Sequence, residues 1–372
     1  MSRARDLADL SNVINKGANL QPNLIINGDM SVSQRGTSET SITTTQYANA
    51  PDRWNLAITT LGTWTASQST TAPDGFSTSY KLECTTADAS PAAGDYFLFQ
   101  QRIEGQNLQV LGSGSANAKK HTLSFWVRSS KTGTYNCEIT HIAGSVYNDI
   151  QYTINTADTW ERKTLTFDGY QTTAIANDNT SGYFVTWWLG GGSNYTTGTH
   201  NSNTWHSTNA NRAVGNVNLA DSTSNEWYLT GVSLVVGDTA PVTHPYESYA
   251  DNLERCQRYY EKIARGASHP TIIGGGMWYT SSNPYVGCKF KVTKRTTPTV
   301  SNGTSSNGYT WFVGGSARYS SAISFSRQTP YSVRCSQSGG LSGSGGTTPA
   351  ATHGCWFELG GTDASIDVDA EL

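Results

Sequence analysis

From residue 24 onward the chain is a succession of short runs in which apolar and polar residues alternate. Gly, Asn, Asp or Ser bounds each run, and this period of two limits the fold more than any other feature. Successive side chains of a strand point to opposite faces, so each run buries one face and wets the other. The runs are Leu24–Ile25–Ile26, Tyr80–Leu82–Cys84, Leu123–Phe125–Val127 (with Trp126 and Arg128 opposite) and Tyr135–Cys137–Ile139. Leu165–Phe167, Tyr183–Val185–Trp187–Leu189 and Tyr228–Thr230–Val232–Leu234–Val236 continue the series. Lys131–Thr132–Gly133 reads as a hairpin turn joining two of them. No long helical period interrupts the series, which predicts an all-β antiparallel jelly-roll sandwich over residues 23–247.

A second series follows: Tyr285 to Val292, Tyr309 to Val313, Ala322 to Phe325, Tyr331 to Cys335, Cys355 to Leu359 and Ile366 to Leu372. It predicts a smaller C-terminal β-sandwich over residues 267–372, with Gly339 to Gly346 as a flexible loop. In the last run Ile366, Val368, Ala370 and Leu372 face inward against Asp367, Asp369 and Glu371. Two modules suit a length of 372 residues, taking about 100–200 residues per domain.

Between the modules, residues 248–266 predict a short connecting helix. Ser248 and Asp251 form a capping box, Glu254–Arg258 and Glu261–Arg265 are i,i+4 ion pairs, and Gly266 stops the helix. Its apolar face is Tyr249, Leu253, Cys256, Tyr260 and Ile263. That spacing fits a helix laid on a sheet, and equally a three-helix seam on a symmetry axis. Residues 1–22 hold a second short helix with Leu7, Leu10 and Ile14 at coiled-coil spacing, then a linker. So short a helix is marginal alone in water, which reads as a docking peg or trimer stub ordered by a partner.

Charged residues are only 14% of the chain and the net charge is −3, so no basic surface marks a nucleic-acid partner. The densest cationic cluster, Lys289, Lys291, Lys294 and Arg295, fits the wet face of a strand. No apolar run is long enough to span a bilayer, and the N-terminus lacks the apolar core of a secretory signal. The expectation is synthesis in a cytosol without membrane insertion. The six cysteines make no Cys-x-x-Cys pair and alternate with inward residues, so they read as buried free thiols.

Enzyme signatures are absent: there is no G-x-S-x-G, P-loop or H-E-x-x-H motif, and no catalytic residue is assigned. No cofactor is assigned, and no metal site. His200 and His206 share one loop but read as solvated, and Asp29 and Ser31 match a calcium site poorly. The aromatic residues are more informative. Sugars are held by aromatic faces against their C–H side and by polar groups at their hydroxyls. Of the adjacent Trp187 and Trp188, one must face away from the core. Tyr195 and Trp205 lie in a long Gly-, Asn- and Thr-rich loop from Gly190 to Asn218, and Trp278 and Tyr279 follow three glycines. Trp188, Tyr195, Trp205, Trp278 and Tyr279 are the candidate carbohydrate contacts, the alternative for each being packing against a neighbouring subunit.

Several runs resemble a known family. Asn23–Leu24–Ile25–Ile26–Asn27–Gly28–Asp29–Met30, Gln34–Arg35–Gly36 and Asp52–Arg53–Trp54 resemble the opening of a bacteriophage fibre-type jelly roll with carbohydrate-binding-module character. The stretch from Thr122 to Tyr135 is similar to its central hairpin. Thr230–Gly231–Val232, Pro245–Tyr246–Glu247 and Cys256–Gln257–Arg258–Tyr259–Tyr260 are similar to its closing strand and following helix. Arg3–Ala4–Arg5–Asp6–Leu7–Ala8–Asp9 resembles a particle-attachment end, and Asp369–Ala370–Glu371–Leu372 a fibre tip. The resemblance implies a virion tail-fibre protein, a homotrimer that binds other virion proteins through its N-terminal segment and touches host-surface polysaccharide. Leu7, Leu10, Ile14, Leu253, Cys256 and Tyr260 would then serve attachment and oligomerisation. A structural head or neck fibre or adaptor, and a polysaccharide depolymerase, are the alternatives.

Overall fold

The computed structural model describes residues 22–245, 247–264, 269–303, 308–338, 341–343, 350–361 and 364–372. Leu7, Leu10 and Ile14, and with them the N-terminal helix, lie outside the described residues. The chain forms two units, Met1–Ser248 and Tyr249–Leu372.

The first unit is built from β1 (Ser38–Gln46), β2 (Asn55–Ser69), β3 (Ser79–Thr86), β4 (Tyr96–Glu104) and β5 (His121–Ser129). It continues with β6 (Gly133–His141), β7 (Val146–Ile154), β8 (Glu161–Phe167), β9 (Ser181–Gly191), the single-turn helix α1 (Ser193–Thr196) and β10 (Glu226–Val236). The strands form one antiparallel sheet in the order β7-β6-β9-β4-β2-β3-β10-β5-β8, with β1 on β2. The sheet turns over at β2. Residues 55–60 of β2 pair with β4, and residues 63–69 pair with β3. Between them Gly62 has φ +73°, and a Cβ there would stand 2.9 Å from the Thr86 carbonyl oxygen. A β-carbon is excluded at this corner.

The two halves therefore face each other as the layers of a jelly-roll sandwich. Trp54, Phe99 and Trp187 from one layer meet Phe125, Trp227 and Leu229 from the other. The Phe99–Trp227 and Phe125–Trp187 ring centroids lie 5.3 and 5.4 Å apart. Much of the aromatic content of the first unit is thus spent on this core.

The structure alters two strand-level expectations. β5 and β6 are not a hairpin: β5 pairs with β10 and β8, β6 with β7 and β9. The Lys131–Gly133 turn carries the chain from one layer to the other, and the Tyr135 hydroxyl donates to the Lys131 carbonyl at 2.8 Å to hold it. A hairpin and an interlayer arch use the same turn residues; which one forms is decided by where the inward faces find their core. In β10 the phase changes midway. Trp227 and Leu229 face the core, then Val232 and Leu234 do, across a register shift between Thr230 and Ser233. Gly231, at φ +61°, makes that bulge.

The second unit begins with α2 (Tyr249–Gln257) and continues with β11 (Tyr260–Ala264), β12 (Thr271–Trp278), β13 (Pro284–Lys289), β14 (Thr299–Asn302) and β15 (Tyr309–Val313). Then come β16 (Ser316–Ser320), β17 (Ala322–Ser326), β18 (Ser332–Ser338), β19 (Gly354–Leu359) and β20 (Ser365–Asp369). A three-stranded sheet, β11-β20-β14, and a seven-stranded sheet, β16-β15-β19-β12-β13-β18-β17, enclose a core of Trp278, Trp311, Phe357, Val286, Ile366 and Val368 among others. This is the smaller β-sandwich.

The connecting helix is shorter than its heptad-like spacing predicts. It ends at Gln257, and Tyr260–Ala264 is a strand paired with β20, Ile263 opposite Ile366. The adjacent aromatic residues Tyr259 and Tyr260 suit a pleated surface better than a helix interior. Lys294, expected on a wet face, is fully buried on Glu261 at 2.6 Å, and burial lowers its pKa. Leu372, expected to be buried, is only partly covered. All six cysteines are buried free thiols.

Candidate functional site

On β9, Trp187 enters the core, so Trp188 emerges on the outer face of its layer. There it meets Leu98 across the β4 ladder and Ala57 beyond it. The neighbouring outward residues of β6 and β7 are Glu138, Tyr147 and Asp149. Left bare, this face would expose a tryptophan and two carboxylates.

It is not bare. Residues 192–218 fold back over it. Gly192 opens the turn, where a Cβ would stand 1.9 Å from the Ala92 carbonyl oxygen. Ala213 packs on Trp188 within the same small cluster. Arg212 reaches down to Glu138 as a fork, Nε to Oε2 at 2.7 Å and Nη2 to Oε1 at 2.8 Å. Its guanidinium lies 3.8 Å from the Tyr147 ring centroid and 5.0 Å from that of Trp188. Burial opposes the Arg212 charge, but the Glu138 carboxylate outweighs it and the arginine pKa is raised.

A second anchor holds the other end of the loop. The fully buried Asp149 carboxylate has His206 Nε2 at 2.7 Å from one oxygen and His200 Nδ1 at 2.7 Å from the other. The His200 approach is close but not aligned for a hydrogen bond. Backbone bonds between His206 and Tyr147, at 2.7 and 2.9 Å, add a short bridge. The two histidines, expected to be solvated, are instead tied to the sheet. Among the described residues no group of His, Cys, Asp or Glu is arranged to hold a metal ion.

The candidate carbohydrate contacts separate accordingly. Trp188 is 0% exposed, covered by its own chain rather than by a ligand or a subunit, with Nε1 donating to Glu138 at 3.3 Å. Trp205 packs against the core and donates from Nε1 to the Asp168 carbonyl at 2.9 Å, so it is a wedge under the loop. Tyr195 is partly open. It stacks at an angle on Trp188, with centroids 5.2 Å apart, and its hydroxyl pKa is raised by burial. With Ser193, Asn194, Thr197, Asn209 and Ala210 it lines a groove of about 580 Å³. These neighbouring amides and hydroxyls were missed in the sequence, because Gly198 turns the loop and brings residues 193–197 beside 209–210.

In the second unit Trp278 is 0% exposed and belongs to the core, whereas Tyr279 is 60% exposed and stacks on Tyr285 at 5.0 Å. The three glycines before Trp278 do not make it a surface residue. Cys256 and Tyr260 are buried within their own unit and Leu253 is partly buried. Tyr260 lies on a strand, so these residues form no single helical seam. Among the outward aromatics that were not candidates, the tryptophan is Trp356, 45% exposed; Tyr331, in a run expected to face inward, is 64% exposed. The alternation Cys355–Phe357–Leu359 already put Trp356 on the opposite face of β19.

No family model and no curated protein matches the chain. Among solved structures it is similar to the enzymatically active domain of tailspike protein 4 of bacteriophage CBA120, at 14% identity and TM-score 0.29, over 57% of this chain and 21% of that one. It is similar to a putative sugar binding protein from Bacteroides thetaiotaomicron, at 12% identity and TM-score 0.33, over 58% of this chain and 100% of that one. It is also similar to the family 11 carbohydrate-binding module of Clostridium thermocellum, at 7% identity and TM-score 0.27, over 54% of this chain and 96% of that one. The chain thus spans about a fifth of the tailspike domain and nearly all of the other two proteins.

Proposed function

We propose that this chain is a bacteriophage fibre protein, assembled as a homotrimer and attached through its N-terminal segment, that recognises a host-surface glycan without cleaving it. The observation that carries the glycan reading is the loop over residues 192–218. It is long and poor in aliphatic residues, yet two buried polar anchors, Arg212 on Glu138 and His206 on Asp149, fix it to the sheet. A loop held this firmly can present the Tyr195 ring and the amides of Asn194 and Asn209 with little ordering cost on binding. The attachment and trimer parts are supported by the sequence resemblance alone. Weak sites repeated three times per fibre and many times per particle would give firm adsorption through avidity.

The test is adsorption of the labelled full-length protein to host cells, with light scattering for mass and a reducing-sugar assay of the supernatant. Retained label and a trimer mass are expected, with Tyr195→Ala weakening retention at unchanged mass. A monomer mass overturns the fibre assembly. Released reducing ends overturn the non-enzymatic reading, and normal retention of Tyr195→Ala overturns the groove.

A further inference from the structure

The outer face of the seven-stranded sheet carries a depression that the fold itself does not explain. One row of residues crosses the sheet from β15 to β17: Phe312, Trp356, Gly275, Gly287, Arg334 and Ser326. Its two middle positions, on adjacent strands, are glycine. Strand-interior glycine weakens a strand relative to alanine. Such a residue is normally required by a left-handed φ or by a crowded β-carbon. Neither holds here. Neither residue has a left-handed φ, a Cβ on Gly287 would meet nothing within 4 Å, and one on Gly275 would make only an ordinary 3.7 Å contact. What remains is space kept clear above the backbone, the usual reason being the close approach of something else.

The walls say what approaches. On one side Phe312 stacks on Trp356, with centroids 4.6 Å apart and planes 18° from parallel. Phe312 comes from β15, so it covers the Trp356 face turned away from the glycines. The face turned toward them has no side chain in the row to cover it. On the other side stands Arg334. Its Nε donates to Ser326 Oγ at 2.9 Å, and its guanidinium lies 4.1 Å from the Tyr285 ring centroid. It is held in place, while its terminal nitrogens have no protein acceptor among the described residues. Lys289, two residues along β13 from Gly287, is exposed on the same face. The backbones carrying Trp356 and Arg334 are three strand spacings apart, about 14 Å at roughly 4.8 Å each.

We infer that this depression is a second binding site, independent of the Tyr195 groove, for a saccharide that lays a C–H face on Trp356 and places a carboxylate at Arg334 and Lys289. It shares with the proposed function only the premise that the chain binds glycan. A bare ring face, a floor without side chains and a fixed guanidinium opposite are the complements of a flat, partly apolar ring bearing an anion.

Affinity electrophoresis of the full chain through gels containing polygalacturonate, alginate or the neutral polymer dextran tests this. Retardation by at least one acidic polymer and not by dextran is expected. Trp356→Ala and Arg334→Gln should each weaken it tenfold or more, and Tyr195→Ala should leave it unchanged. Gly287→Val should abolish it while the thermal midpoint holds or rises, an outcome that a merely structural glycine would reverse. No retardation by either acidic polymer, equal retardation by dextran, or full retardation of Gly287→Val overturns the inference. A change of molecular mass in Trp356→Ala also overturns it, by making the face a contact between copies. Host-cell adsorption that is lost in Tyr195→Ala and kept in Trp356→Ala would sink this site and leave the proposed function standing.

Discussion

The two units place a tryptophan on the outer face of a sheet and treat it in opposite ways. Trp188 in the first unit is roofed by 27 residues of its own chain (192–218) and sealed by the Arg212–Glu138 fork. Trp356 in the second has one face stacked on Phe312, stays 45% exposed among the described residues and is flanked by glycine. The first arrangement consumes the aromatic surface in folding and moves any recognition outward to the rim of the loop. The second keeps the surface available. An outward tryptophan therefore says little about function until its cover is known, and the cover here is a loop that runs on well past the strand.

The largest effect should come from breaking the roof. Arg212→Ala leaves the Glu138 carboxylate, which is 0% exposed, without its cation, and loss of one partner of a buried pair costs about 3–5 kcal/mol. The donors of Thr140 and Trp188 remain on Glu138, which places the cost toward the lower end. Trp188→Ala should cost a similar amount, about 3–5 kcal/mol, by opening a cavity. Urea unfolding followed by amide hydrogen exchange in β6 and β9 measures both. A loss below 1 kcal/mol in either variant would mean that the loop is a loose cover and that the two faces differ less than their burial indicates.

A pH effect of comparable size should appear in the first unit. His121, at the start of β5, is buried against Phe167 and Tyr183, and burial lowers its pKa from 6.5 to about 4, against smaller opposing pulls from the Lys119 carbonyl and then Asp168. The unfolded chain takes up the proton near pH 6.5 and the folded chain only near 4, so unfolding binds a proton in that window. Stability is thus fully present above pH 6.5 and falls as the pH drops toward 4, by on the order of 3 kcal/mol. His121→Phe should make that slope shallower, the remainder coming in part from His141 and His244, whose pKa values burial also lowers. An unchanged slope would assign the acid sensitivity to other groups.

Much of this contrast was written in the alternation of the sequence, and the rest was not, for identifiable reasons. The adjacent pair Trp187–Trp188 had to straddle β9, and it does. Trp356 between Cys355 and Phe357 had to face outward, and it does. What alternation cannot supply is the third layer. Nothing local distinguishes a loop that folds back on its own sheet from one that stays in solvent, so His200, His206 and Arg212 carried no signal of their carboxylate partners. Bulges are equally silent, because Gly231 inverts the phase of β10 without leaving the pattern of a strand. Tyr260 failed as a helix residue because its partner, Asp369, lies more than a hundred positions away.

Trimming the open face should cost little. Trp356→Ala removes a half-exposed ring and one stacking contact, worth about 1 kcal/mol. A thermal midpoint lowered as far as that of Trp188→Ala would show that Trp356 is structural after all.

Two glycines, one in each unit, should differ in the sign of their effect. Gly231 has φ +61°, and a Cβ there would stand 2.6 Å from the Phe76 ring, so Gly231→Val should destabilise the first unit by about 1–3 kcal/mol. Gly287 has no left-handed φ and open space around its β-carbon position, so Gly287→Val should stabilise the second unit by about 0.5–1 kcal/mol. The glycine that raises stability when replaced is the one retained for something other than the fold, and a thermal midpoint lowered by Gly287→Val would return it to the fold and close the open face to a ligand.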